Sequence, residues 1–167
     1  ADNTCSTPAG ATVTINAVPT PPTAPTVAST TQPTCAVPTG TIVFTAQAGV
    51  EYSINNGTTY QAGATFAGLA PGTYTLRVRS IADNTCSTPA GATVTINAIP
   101  TPPTAPTVAS TTQPTCAVPT GTIVFTAQAG VEYSINNGTT YQAGATFPGL
   151  APGTYTLRVR SIADNTC

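Results

Sequence analysis

A nearly perfect internal repeat constrains the fold of this chain more than any other feature of its sequence. Residues 1–81 and 82–162 are identical at all but two positions, where Val18 and Ala67 become Ile99 and Pro148. The last five residues, ADNTC, begin a third copy. A period of this length is one small domain, so the sequence predicts a tandem array of a single fold. An array supplies length or repeated identical surfaces, which favours a stalk, a fibre or an adhesin over an enzyme.

The charge content of the chain excludes several classes of partner. Charged residues make up 5% of the sequence and the formal net charge is −1, against about 25% charged residues in ordinary globular proteins. So few charges exclude a basic nucleic-acid-binding surface and a polybasic membrane patch. No apolar run approaches the roughly 20 residues of a membrane span. We therefore expect no nucleic-acid partner and no membrane insertion.

The hydrophobic residues fall in short alternating runs that predict β-strands, and no segment has a helical period. In one repeat we predict seven strands, over residues 25–31, 41–46, 50–55, 58–61, 64–69, 74–80 and 91–98. Asn56-Gly57 predicts a hairpin turn, because both central residues need a positive φ. Seven short strands separated by turn signals indicate an all-β, Greek-key, immunoglobulin-like antiparallel β-sandwich in each repeat.

Two proline-rich stretches, residues 18–24 and 99–105, predict stiff extended linkers between the sandwiches. The first complete immunoglobulin-like unit then spans residues 25–98. Residues 1–17 correspond to the last strand of a preceding, truncated unit, and residues 106–167 form a second unit without that strand. Two interpretations follow: the chain is a window of a longer array, or it is a whole subunit that lends its first strand to a neighbour by β-strand addition.

A tyrosine corner is predicted in each unit. In this motif of Greek-key sandwiches a Tyr hydroxyl bonds to the backbone of the preceding connection. The pattern Leu-x-x-Gly-x-Tyr occurs as Leu69, Gly72 and Tyr74 and again as Leu150, Gly153 and Tyr155.

Five cysteines at alternating spacings of 30 and 51 residues predict disulfides and an oxidising, extracellular compartment. We favour Cys35–Cys86 and Cys116–Cys167, because each bond joins the two ends of one sandwich. Each would close a loop of about 51 residues and stabilise the unit by roughly 4 kcal/mol. Cys5 would then pair with a preceding repeat. The rival pairing, Cys5–Cys35, would tie consecutive units together. Zinc is not indicated, since the chain has no His and no CxxC motif.

Catalysis has few candidate groups. The chain has no His or Lys, and no Ser or Cys lies beside a plausible base, so we predict no enzymatic activity and no cofactor or metal. Glu51 is expected to form a surface ion pair with Arg77 or Arg79. Tyr60 and its copy Tyr141, together with Arg77 and Arg79, are the candidates for surface contacts such as a glycan.

The pattern of residues resembles a known family of repeats. An opening Cys, a Gly-led strand, a Tyr-x-x-x-Asn-Gly hairpin, a Leu-x-x-Gly-x-Tyr-x-x-x-Val strand and a closing Cys are similar to the SprB-type repeat of gliding-motility adhesins in Bacteroidota. These elements are Cys35, Gly40, Tyr52, Asn56, Gly57, Leu69, Gly72, Tyr74, Val78 and Cys86. The resemblance covers about fifty residues of each repeat, and it implies secretion to the cell surface as part of a long filamentous adhesin.

The sequence thus predicts a structural segment of an extracellular filament, whose partners are neighbouring identical repeats and a surface or glycan target. A subunit that polymerises head to tail through residues 1–17 is the first alternative. An array of carbohydrate-binding modules is the second, and it requires an exposed aromatic platform.

Overall fold

The computed structural model describes residues 10–89 and 91–167, which form eleven β-strands and no helix. The first unit contains β1 (Val27–Thr31), β2 (Gly40–Phe44), β3 (Val50–Ser53), β4 (Thr65–Leu69), β5 (Gly72–Ser80) and β6 (Ala92–Ile96). The second contains β7 (Val108–Thr112), β8 (Gly121–Phe125), β9 (Val131–Ser134), β10 (Thr146–Leu150) and β11 (Arg158–Ser161). The predicted all-β class is confirmed.

Two three-stranded sheets build the first unit, in the orders β1-β2-β4 and β3-β5-β6. Every neighbouring pair of strands is antiparallel. Side chains alternate between the two faces of a strand, so each sheet turns one apolar row inward. Those rows meet in one shared core, whose buried members are Ile42, Phe44, Val50, Tyr52, Leu76, Val78 and Ile96.

The second unit repeats this arrangement without the sixth strand. Its sheets have the orders β10-β8-β7 and β11-β9. Residues 72–76 of β5 pair with β6 along their whole length. Their copies, residues 153–157, have no such partner among residues 91–167, and the strand there begins only at Arg158. The hydrogen-bonding partner, and not the local sequence, determines where this strand starts.

The predicted strand over residues 58–61 is wrong, although the turn that precedes it is correct. Asn56 and Gly57 have φ values of 57° and 85°, as the Asn-Gly hairpin requires. Beyond the turn only Gln61 pairs with Tyr52, in an isolated bridge. Two backbone amides of this loop donate hydrogen bonds to polar side chains, and not to the backbone of a neighbouring strand. The Ser53 hydroxyl accepts a hydrogen bond from the Gly57 amide at 2.9 Å, and the Asn55 carboxamide accepts one from the Thr59 amide at 2.9 Å.

The proline-rich segments form no strand, and each is fixed by one glutamine of the unit that follows it. The Thr23 hydroxyl donates a hydrogen bond to Gln47 Oε1 at 2.8 Å, and Thr104 donates the same bond to Gln128 at 2.9 Å. Within the described part of the chain there is also no helix that is long and apolar enough to cross a membrane.

Candidate functional site: an open groove and a joint between units

A groove in the second unit lies where the first unit holds β6. It has a volume of about 140 Å³, and it lies between the end of β7, the start of β8 and the β10–β11 connection. Its lining includes Pro114, Gly121, Ile123, Leu150 and Tyr155. A sixth strand would pair with residues 153–157, as β6 pairs with residues 72–76, and it would pack against the start of β8 at Gly121, as Ile96 packs against Gly40.

The first unit shows how a strand fills the equivalent groove. Ile96 packs so closely on Gly40 that a Cβ atom on this glycine would lie 2.7 Å from Ile96 Cγ2. Gln32 holds the strand backbone from the side: its Nε2 donates to the Thr95 carbonyl at 3.1 Å, and its Oε1 accepts from the Asn97 amide at 2.8 Å. The glycine and the glutamine are present in the second unit as Gly121 and Gln113, and both line the groove.

Burial in the second unit shows the consequence of the open groove. In the first unit, Ile42, Leu76 and Val78 are each 0% exposed. Their copies, Ile123, Leu157 and Val159, are only partly buried. Over the residues that both units contain, they differ in sequence at a single position, 67 against 148. We therefore attribute the change in burial to Thr88, which hydrogen-bonds to Val78, and to β6, because both cover the core of the first unit and have no copy in residues 106–167.

A matching strand sequence lies unused at the other end of the chain. Residues 11–17 read ATVTINA, as do residues 92–98, which contain β6. Yet the first copy forms no strand, and Val13 and Ile15 are 84% and 89% exposed. The predicted role of residues 1–9 in this segment falls outside the described residues.

A disulfide joins the two units, and it contradicts the predicted pairings. Cys35, in the opening loop of the first unit, is bonded to Cys167 at the end of the second, with a Cα–Cα distance of 5.2 Å. Cys86 and Cys116 carry free thiols. The predicted bonds Cys35–Cys86 and Cys116–Cys167 are therefore wrong. The predicted partner of Cys5 lies outside the described residues, but Cys35 is not available to it.

Hydrogen bonds around this disulfide also hold the opening loop of the first unit, at Cys35 and Ala36, against the loop that closes the second unit, residues 163–167. We call the latter segment, and its copy at residues 82–86, the closing loop. The Cys35 amide donates to Asp164 Oδ2 at 2.9 Å, and the Ala36 amide donates to the Thr166 hydroxyl at 3.2 Å. The Thr166 hydroxyl and the Cys35 amide both donate to the Asp164 carboxylate, which lowers the pKa of that group below its ordinary value of 3.8. Cys35 Sγ also lies 3.3 Å from the carbonyl oxygen of Pro100, in the linker.

The free thiol of Cys86 has almost the same surroundings as Cys167. Its Sγ lies 3.5 Å from Asp83 Oδ2, as Cys167 Sγ lies 3.6 Å from Asp164 Oδ2. Cys86 Sγ also lies 3.8 Å from the carbonyl oxygen of Pro19, whereas the carbonyl oxygen of Pro100, the copy of Pro19, contacts Cys35 Sγ instead. Desolvation, followed by the hydrogen bond to Asp83, raises the pKa of the Cys86 thiol. The closing loop of the first unit is thus arranged like that of the second, but without an opening loop bound to it.

The Leu-x-x-Gly-x-Tyr pattern lies beside the groove. The Tyr74 hydroxyl donates a hydrogen bond to the Ala70 carbonyl at 2.8 Å, and Tyr155 donates to Ala151 at 2.7 Å. This is the side chain to backbone bond that defines a tyrosine corner. Leu150, Gly153 and Tyr155 all line the groove, so the corner fixes one of its walls.

The expected ion pair forms with the second of the two candidate arginines. Arg79 Nη2 lies 2.6 Å from Glu51 Oε2, and Arg160 and Glu132 repeat the pair at 2.6 Å. The same guanidinium group covers the ring of Tyr60, with Arg79 Cζ 4.2 Å from the ring centroid. Arg160 lies 4.1 Å from the Tyr141 ring centroid in the same way.

This stacking bears on the carbohydrate-binding alternative. Tyr60 and Tyr141 are half-buried, and one face of each ring is already occupied by an arginine. Arg77 is partly enclosed as well, with its Nε atom buried and without a hydrogen-bond partner. These residues do not form the open aromatic platform that the alternative needs.

A cluster of potential metal ligands coincides with the disulfide. Single atoms of Cys35, Asp164 and Cys167 lie within 4.8 Å of one another. Because the two sulfurs are bonded to each other, they offer no thiolate, and the thiolate is the form of cysteine that binds a metal. Among the described residues, the cluster is therefore a covalent joint and not a metal site.

Comparison with known proteins adds no relative: no protein-family model and no curated protein matches this chain.

Proposed function

We propose that the chain is a structural segment of an extracellular bacterial filament, in which tandem immunoglobulin-like sandwiches form a stalk that carries adhesion to surfaces. The observation that carries this proposal is the covalent joint between units. Cys35–Cys167 ties two successive copies of one fold together, which serves an array that must resist tension along its length. The similarity to SprB-type repeats of gliding-motility adhesins supports the same conclusion.

Several further features are consistent with life outside the cell. A disulfide indicates a non-reducing environment. The low charge of the chain also makes its contacts insensitive to salt, since there are few surface ions to screen. In each unit two antiparallel sheets share one core and a Tyr hydroxyl bonds back to the preceding connection, as expected for an immunoglobulin-like sandwich.

The test is to locate the native protein on cells and to measure the mass of its polypeptide. Antibodies raised against this chain should label filaments on intact cells. The labelled species, denatured and reduced, should have a mass many times 16.6 kDa if the chain is part of a long array. Labelling that requires permeabilised cells would overturn the proposal.

A second candidate, polymerisation by strand donation, is favoured by one specific observation. The groove of the second unit is open, while residues 11–17 expose the same sequence that fills the equivalent groove of the first unit. A second copy of the chain would dock this segment antiparallel to residues 153–157, as β6 pairs with residues 72–76. Ile15 would then occupy the place against Gly121 that Ile96 occupies against Gly40.

Substitutions in the exposed segment distinguish strand donation from a passive tail. Ile15→Asp should abolish concentration-dependent assembly in analytical ultracentrifugation, because it would bury an unpaired charge. Thr14→Asp is the matched control, since its copy Thr95 is exposed in β6. Equal assembly of both variants, or no assembly of the unsubstituted chain at any concentration, would rule out strand donation.

A further inference from the structure

We propose that Cys116 of one copy and Cys86 of the next form an intermolecular disulfide equivalent to Cys35–Cys167, so that neighbouring copies are covalently joined end to end. The inference rests on the second candidate under the proposed function, strand donation, because it assumes that copies of this chain follow one another as its two units do.

The repeat determines which cysteines correspond. Cys35 and Cys116 are the same position of the repeat, as are Cys86 and Cys167. The observed bond therefore links an opening cysteine to the closing cysteine of the following unit, across a separation of 132 residues. Among residues 1–167, neither Cys116 nor Cys86 has a cysteine at this separation. A second copy that follows this one end to end supplies both partners.

The surroundings of the two thiols fit this assignment. Cys86 keeps the aspartate that accompanies Cys167, and its amide donates to the Asp83 carbonyl at 3.0 Å as the Cys167 amide donates to the Asp164 carbonyl at 3.0 Å. Its closing loop is therefore already formed. The hydrogen-bonding groups that receive an opening loop at Asp164 and Thr166 have identical copies in Asp83 and Thr85. The Thr85 hydroxyl donates to Asp83 Oδ1 at 2.6 Å, as Thr166 donates to Asp164 at 2.6 Å. Cys116 is exposed.

The open groove leads to the same arrangement independently. If residues 11–17 of a second copy fill the groove of the second unit, the first unit of that copy becomes the next member of the array. Cys86 of that copy then has the same position relative to Cys116 of the first copy that Cys167 has relative to Cys35 within one chain. One end-to-end geometry therefore satisfies both the unfilled groove and the two free thiols.

Bond formation is a two-electron oxidation and needs an oxidant, for which a small-molecule disulfide such as oxidised glutathione suffices. One thiolate attacks a sulfur of the oxidant, breaks its disulfide and releases one glutathione thiolate. The second protein thiolate attacks the resulting mixed disulfide and releases the other. The two protons of the protein thiols end on the two glutathione molecules.

The test uses two complementary variants of the whole chain, both carrying Cys5→Ser. One also carries Cys86→Ser and keeps Cys116; the other carries Cys116→Ser and keeps Cys86. Oxidised glutathione is added to each variant alone and to their mixture, and the products are separated on a non-reducing denaturing gel. We expect the mixture alone to shift from 16.6 kDa to twice that mass. Dimers in either variant alone, in the same amount as in the mixture, would mean random thiol oxidation and would overturn the proposal.

A second measurement needs no substitution beyond Cys5→Ser and therefore does not depend on how the other variants fold. Trypsin cuts only after the four arginines, which leaves Cys86 and Cys116 together on the peptide of residues 80–158. In a mixture of ¹⁴N- and ¹⁵N-labelled chains, oxidised, blocked and digested, the proposal predicts mixed-isotope oligomers of that peptide. A peptide 80–158 that stays monomeric, whether internally bonded or with both thiols unoxidised, contradicts it. Surface labelling of cells is unaffected by either result, so the failure of this inference is distinguishable from the failure of the proposed function.

Discussion

Replacement of Ile96 by Ala measures how much the first unit depends on its sixth strand. The side chain is 1% exposed and packs against Gly40. The substitution removes three carbons, at about 0.8 kcal/mol per methylene, and leaves a cavity, so the total cost should be about 2–5 kcal/mol. In a unit of this size each kcal/mol lowers the melting temperature by roughly 4–8 °C. We expect the unfolding transition of the first unit to fall by at least about 8 °C in scanning calorimetry.

The repeat supplies a control with the same sequence neighbours. Ile15 occupies the equivalent position in residues 11–17 but is 89% exposed, so Ile15→Ala should change stability by less than about 0.5 kcal/mol. Both variants are measured under non-reducing conditions and at concentrations where the chain is monomeric, because strand donation would bury Ile15. Equal shifts in the two variants would refute the argument that β6 closes the core of the first unit.

Three further predictions concern the corner, the hairpin and the joint. Tyr74→Phe removes the hydrogen bond to the Ala70 carbonyl and should cost about 0.5–1.5 kcal/mol in urea unfolding; no loss would mean that water replaces that bond. Gly57→Ala forces a side chain into a φ of 85° and should cost at least about 1 kcal/mol, whereas Gly63→Ala, at an ordinary φ, should cost less in the same assay. The lowered pKa of Asp164 makes its contribution complete above its ordinary value of 3.8, and this contribution is lost as the pH falls through the folded-state pKa. Acid unfolding of the disulfide-bonded chain should show this loss, and Asp164→Asn should flatten it.

Most of the fold follows from the alternation of apolar residues, since one face of each strand is buried. Gly40–Phe44 and Gly72–Ser80 lie within two residues of their predicted bounds for this reason. The loop after Asn56-Gly57 could not be predicted as well. Its short run of polar residues suits either a strand or a loop, and the hydroxyl of Ser53 and the carboxamide of Asn55 decide between them by bonding to the loop backbone.

The disulfide shows a different limit of sequence reasoning. Cys86 and Cys167 follow the same residues, ADNT, so no local signal distinguishes the partner of Cys35. The choice depends on how successive units pack, which the spacing of cysteines does not report. The open groove was easier to predict from the sequence. The strand sequence ATVTINA occurs at residues 11–17 and 92–98, but residues 106–167 contain no copy of it. The consequence of the groove for the burial of Ile123 and Leu157 required the structure.

The bond between Cys35 and Cys167 also changes what a protease can do to this molecule. The two residues enclose most of the chain in one covalent loop. A single cut at any peptide bond inside that loop, including the exposed proline-rich linker between the units, leaves both fragments attached through the disulfide. Outside the cell, where peptidases act on exposed segments, a cut in the linker separates the two units only together with a second cut within the loop or with a reductant.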